Sequence, residues 1–580
     1  MKLSYGKMNK YLLAGVLAVG VAGCSDSDKA EKAEKAAAEE AVAEFNLLAL
    51  VPVDSPYVFA SSRKLPLELS EKLLKASAVN LEDGSLRAEL AVSGADTDEA
   101  GQDMVKLVDA FLAELEGKMS AKGLESLGLP INGRSLIYGL GMLPVAWVEI
   151  LDAGKVEAFL SRVEERSGMQ AEKLTRGDIS YRRFELDKLV GILAVGKEHL
   201  IMAVLPAKSE AEMLPLALGE TKPEKSLADT GAFKAFSSKR KFLGYGDGYL
   251  DLVRMAEMAL GESQGINAQV LQGLGVSPKE LSAACHGFIK TTVQSVPMIS
   301  FGFTEVTDRK YAIRATLETS PGVAAWLQKM SAPVPGVGVP NDGMVSFGVG
   351  FDLPQIRDGI KAMLRNFLET GKGCELVNEE ELAQAMQGVD VAFNPMLVGM
   401  GIRGFSVTVN NIEVDTQTMT PKTVDAQVLL AATDPKSMFS MAGMLSPQLA
   451  QLDIPTDGTP VRVPLESMSP VAPPTFAAIK GETLALIVGD TAPDGIDQAL
   501  SAPVADAPPF FSMSYDANKL FQTIGPPMKN MVQSMQGEEA ADLQAAYQSM
   551  ETAAEVYGKI DFRMLGTERG FEIDTVVNLK

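Results

Sequence analysis

The scarce reactive groups in this 580-residue chain are three cysteines and two histidines: Cys24, Cys285, Cys374, His199 and His286. His286 adjoins Cys285, but neighbours in sequence rarely aim both side chains at one substrate, and no His/Cys spacing resembles a zinc site. Structural roles are expected for both histidines, and no metal or cofactor is expected. Cys285 and Cys374 form an even pair and are candidates for a disulfide, which would join the two halves of the chain; two buried free thiols are the alternative. Gly399-Met-Gly401-Ile-Arg-Gly404 fits G-x-G-x-x-G. A dinucleotide site needs a helix directly after the glycines, however, and here the alternating Phe405-Ser-Val-Thr-Val409 predicts a strand. Gly191–Lys197 begins as a phosphate-binding loop would, but Glu198 stands where a Ser or Thr magnesium ligand belongs. Asn378-Glu-Glu-Glu381 reads as the start of a helix, with acids against its positive end, rather than as a calcium loop. Carboxylates are plentiful, and no spacing selects one pair for glycosidase-type acid/base work. The 28 methionines, Met528, Met531, Met535 and Met550 among them, read as core packing before adaptable groove. No catalytic residue is assigned.

Cys24 is different, because the elements before it supply its chemistry. Lys2, Lys7 and Lys10 form a positive leader, and Tyr11–Ala22 is an apolar run too short to span a bilayer. The ending Val21-Ala22-Gly23-Cys24 resembles the lipobox of bacterial lipoproteins, with Val21 in place of the usual Leu. The resemblance implies cleavage before Cys24, a diacylglyceryl thioether on its sulfur and an acyl group, such as palmitate, on its new amine. Each buried methylene adds about 0.8 kcal/mol of membrane affinity, so several chains anchor where one does not. Ser25 follows the cysteine; an Asp there resembles an inner-membrane retention signal, so its absence favours the outer membrane, facing the periplasm, in a Gram-negative cell.

The leader, residues 1–23, is followed over 24–45 by an Ala/Glu/Lys-rich tether of helical propensity. The remainder is globular in composition, 46% hydrophobic and 22% charged, with no further run able to span a membrane. Net charge is −22, and the mature chain is three charges more negative because the leader holds three lysines. Such a chain repels phosphate backbones, which argues against nucleic acid as a partner.

Helical and strand periods then alternate, predicting an α+β fold with mainly antiparallel sheets covered by amphipathic helices. The Pro/Gly-rich stretch 331–342 reads as a linker between lobes at 46–330 and 343–580. Landmarks recur across it in order. Phe59 with Leu65-Pro66 matches Phe347 with Leu353-Pro354. Gly139–Gly141 matches Gly399–Gly401, and Ala194–Leu200 matches Ala478–Leu484. Phe242 matches Phe510, and Thr307–Ile313 matches Thr567–Ile573. Two duplicated lobes are therefore expected. With its opening Val51-Pro52-Val53-Asp54-Ser55-Pro56-Tyr57-Val58-Phe59-Ala60, paired hairpins and strand–helix ending, the body loosely resembles a family of secreted bacterial proteins of unknown function, which has no catalytic motif to transfer. The functional expectation is a lipid-anchored envelope protein with a binding or scaffold role, its partners the membrane and an unidentified envelope protein or hydrophobic ligand. The alternatives are a carboxylate-based hydrolase with its site between the lobes and a carrier of hydrophobic ligand.

Overall fold

The structure, a computed structural model, describes residues 46–82, 99–275, 280–415, 421–442, 452–465, 473–489, 492–535 and 538–580. The leader, Cys24 and the tether lie outside the described residues. No described helix is long and apolar enough to cross a membrane. The fold is α+β, with an antiparallel sheet in each of two compact units. The first comprises the chain up to Glu280 with Met298–Ile313, the second Leu281–Pro297 with Arg314–Lys580.

The first unit contains β1 (Tyr57–Ser61), β2 (Ser135–Leu140), β3 (Leu143–Glu149), β4 (Glu172–Arg176), β5 (Ile179–Leu186), β6 (Leu189–Val195), β7 (His199–Pro206), β8 (Tyr245–Asp251), β9 (Met298–Val306) and the first half of β10 (Lys310–Glu318). Their order is β4-β5-β6-β7-β3-β2-β1-β8-β9-β10. One face buries Val58, Leu136, Tyr138, Val145, Trp147 and Ile201 in a large core. The other is covered over β6 and β7 by the helix Ala153–Ser167, whose Val156, Phe159, Leu160 and Val163 recur at helical spacing and are fully buried. Asp152 caps that helix, accepting from the Lys155 amide at 3.1 Å. Buried Arg182 ties β5 to the same helix through Glu157 at 2.7 Å and Glu164 at 3.3 Å.

The second unit contains β11 (Val345–Gly350), β12 (Ile402–Val414), β13 (Pro421–Ala432), β14 (Val461–Val463), β15 (Thr475–Lys480), β16 (Thr483–Val488), β17 (Phe511–Asp516), β18 (Tyr557–Thr567) and β19 (Gly570–Leu579). Their order is β14-β15-β16-β13-β12-β11-β17-β18-β19. Helix Ala492–Leu500 packs Ile496 and Ala499 on Leu429, Ala478 and Ile487, while Phe439 and Ile454 cover Ile479 and Leu484 on the opposite face.

Three expectations are corrected here. The stretch 331–342 is no free linker: Val334 and Val337 are buried against Ala431. The Pro335 carbonyl accepts from Ser406 Oγ at 2.8 Å, and the Gly338 amide donates to Ser512 Oγ at 2.9 Å. Gly348 has no side chain because Val337 lies 2.7 Å from where a Cβ would stand. Second, the helices Ala283–Ser295 and Pro321–Met330 belong to the second unit, so the division does not fall at 331–342. Trp326 of the latter donates to the Gln355 carbonyl at 3.0 Å and packs where only Gly359 leaves room. Third, Gly399–Gly401 is not the counterpart of the β2–β3 turn at Gly141: it joins the helix Pro395–Gly399 to β12.

Candidate binding face

A sheet strand sends alternate side chains to opposite faces, so one polar and one apolar face is the ordinary pattern, with the apolar face buried. The central strands of the second unit reverse it. Ser346, Ser406, Thr408 and Ser514 are the buried set, beneath the 331–342 segment, and Asn341 Nδ2 donates to Ser346 Oγ at 2.9 Å. Ser346 and Ser514 hydrogen-bond to each other at 2.8 Å. Hydroxyls paired in this way satisfy one another without water.

The apolar set therefore points to the more open side. Pairing aligns it in three rows across four strands. The middle row runs Val407–Phe347–Met513–Phe562, the next Phe405–Val349–Phe511–Met564, and the third Val409–Val345–Tyr515–Ile560. None of the twelve is buried. Phe347 is 40% exposed and Met513 38%. With strands about 4.8 Å apart and a two-residue repeat of about 6.8 Å, the patch is roughly 14 Å on a side. Phe347 meets Phe405 edge-on at 5.9 Å, and Phe511 meets Phe562 at 6.0 Å, so the rings are held rather than splayed. Apolar surface gathered in this way marks a binding surface more often than isolated exposed side chains do.

One row of the first unit carries a glycine, and its three side chains are half-buried. Phe59 pairs with Ile137 on one side and Gly248 on the other, and Gly248 pairs with Phe301. The glycine leaves a gap through which the two rings stack.

The residues singled out by sequence are dispersed. His199 lies on β7 against Trp147, ring centres 5.7 Å apart, and burial pushes its pKa below the usual histidine range. Gly191–Val195 lies within strand β6, and β12 follows Gly401 directly. Asn378 caps the helix Glu379–Ala392, accepting from the Glu380 and Glu381 amides. Cys285 and Cys374 are joined in a disulfide with α-carbons 4.4 Å apart. Because Cys285 lies on a helix of the second unit, the bridge is internal to that unit and does not join two lobes.

Sequence reasoning missed Asp247, fully buried on β8. Burial raises its carboxyl to about 7, opposed by contact with Ser237, by the Gly244 amide at 3.1 Å and by the charge of Arg63. No second carboxylate contributes, so this is not the shared-proton pair that acid/base catalysis uses. Among the described residues, two clefts of the first unit hold partly buried arginines. In one, of about 520 Å³, Arg183 is held by Glu210 at 2.9 Å. In the other, of about 390 Å³, Arg254 donates to the Ser55 carbonyl and pairs with Asp251. The two arginines are committed to internal partners. Compared with known proteins, the chain matches no family model, no curated protein and no solved structure.

Proposed function

We propose that this is a lipid-anchored envelope protein, acylated at Cys24, that binds a hydrophobic ligand at the open sheet face of the second unit and does not transform it. The observation that carries the reading is the Phe347–Met513 pair, two large apolar side chains about two-fifths exposed and directly opposed on a face of aromatic and aliphatic neighbours. The face offers carbon, sulfur and one phenol, so the ligand it fits is an acyl chain. Lipidation keeps the protein where acyl chains are abundant.

The binding face is understood here as one product of an internal duplication. The strand orders support this: β7-β3-β2-β1-β8-β9 in the first unit runs as β16-β13-β12-β11-β17-β18 in the second. Phe59 and Phe347 are each the third residue of their strand, and Glu198 and Glu482 each sit in the turn before the following strand. On this reading Gly248 and Met513 are equivalent, and their difference lets rings stack in one row and leaves Phe347 and Met513 about two-fifths exposed in the other.

The test is binding of a fluorescent fatty acid to the purified full chain in detergent below its micellar concentration. Burying a Phe or Met against a ligand is worth about 1.5–3 kcal/mol, so Phe347→Asp should weaken binding about tenfold or more. Equal binding by wild type and Phe347→Asp would remove the assignment.

A further inference from the structure

We propose that Cys285, Cys374 and Glu375, once the disulfide is reduced, form a binding site for one thiophilic divalent cation such as Zn²⁺. Both sulfurs and a Glu375 carboxylate oxygen lie within 4.8 Å of one another. Both cysteines are buried, Cys285 completely and Cys374 with 4% exposed, while Glu375 reaches solvent and supplies an entry path. Glu375 Oε2 lies 3.1 Å from Cys285 Sγ. A tetrahedral ion with bonds of about 2.3 Å to sulfur and about 2.1 Å to oxygen spans S···O edges of about 3.6 Å and S···S edges of about 3.8 Å. The Glu375 oxygen thus stands near the edge distance such an ion sets from Cys285, and the sulfurs must separate to reach theirs.

Two further features favour an ion here. The Glu375 carboxylate is oriented by Ser282, which donates its hydroxyl to Oε2 at 2.6 Å and its amide to Oε1 at 3.0 Å. Such outer partners fix a ligand's direction and typically carry 10–100-fold in metal affinity. Cys285 also stands in the first turn of the 13-residue helix Ala283–Ser295, whose positive end stabilises thiolate. Three protein donors leave one tetrahedral position for water.

The chemistry closes with a dithiol reductant. Its two sulfurs join as it gives two electrons to the bridge, leaving two thiols on the protein. The cation then displaces one proton from each. Oxidised, the same atoms are a covalent staple; reduced, they are ligands.

The test uses the full chain in detergent, reduced with a phosphine, with circular dichroism recorded throughout and Co²⁺ as the probe. Reduced wild type should take up one Co²⁺ with thiolate-to-cobalt absorption in the near ultraviolet, displaced by Zn²⁺, and the oxidised protein should show none. Glu375→Gln, which leaves both cysteines in place, should weaken binding at least tenfold, and Ser282→Ala about 10- to 100-fold. The proposal is overturned if reduced wild type shows no such absorption, if it loses its fold on reduction and cobalt does not restore it, or if Glu375→Gln binds as wild type does.

Discussion

Phe59 stacks on Phe301 with ring centres 4.9 Å apart, over a position of the intervening strand that carries no side chain, Gly248. In the second unit the intervening residue between Phe347 and Phe562 is Met513, and no such stack forms across it. Phe347 and Met513 are instead about two-fifths exposed.

Gly248→Ala should therefore destabilise the protein. The added methyl would press on Phe59, on the Val58 carbonyl at 2.7 Å and on Phe301 at 2.8 Å. Overpacking of this kind costs about 1–3 kcal/mol, read as a lowered thermal midpoint. Met513→Gly, at a position 38% exposed, should lower it less while reducing fatty-acid binding. A wild-type melting curve for Gly248→Ala would show that the stack is not tight.

Asp247 should make stability pH-dependent in the unusual direction for a carboxylate. Burial raises its folded pKa to about 7 from the ordinary aspartate value of 3.8. Between those values the native state holds a proton that the unfolded chain has lost. Its stabilising contribution is therefore full below pH about 4 and is lost as pH rises toward 7, by at most about 1.4 kcal/mol per unit. Asp247→Asn should remove that slope, so that its stability relative to wild type improves from pH 5 to pH 8. Parallel denaturation profiles would contradict the assignment of a buried neutral acid.

Reduction of Cys285–Cys374, 89 residues apart in sequence, should lower stability by roughly 2–4 kcal/mol in metal-free buffer. Urea titrations with and without phosphine read this directly. Coincident curves would mean that the bridge constrains nothing.

Cys24→Ser should release the protein from membranes on cell fractionation, since the thioether is the expected attachment. A variant that still sediments with membranes and carries acyl groups would contradict the lipoprotein reading.

Much of the strand plan was legible because it depends on local alternation. The hairpin of β6 and β7 follows from alternating apolar residues on either side of Gly196, and the cap at Asp152 from an Asp placed just before a helical repeat. The hairpin of β4 and β5 was not read: four of the five β4 residues are exposed, and the strand has no apolar alternation to announce it. The open face was also hidden. Phe347 and Ser346 alternate as in any half-buried strand, and which set faces inward depends on the residues 331–342, whose docking on Ser406 and Ser512 is a long-range event. The helix Ala283–Ser295 was misplaced for the same reason: its partner, Phe367 against Phe288, is distant in sequence.

The most direct measurement is photocrosslinking in intact envelopes with p-benzoylphenylalanine at position 347 and, as a control, at position 59. Benzophenone inserts into nearby C–H bonds, which acyl chains supply in quantity. A lipid-mass adduct at 347, with little at 59 where the ring is stacked on Phe301, is the predicted result. Absence of a lipid adduct at 347, or crosslinking there to protein alone, would contradict a hydrophobic-ligand face on the second unit.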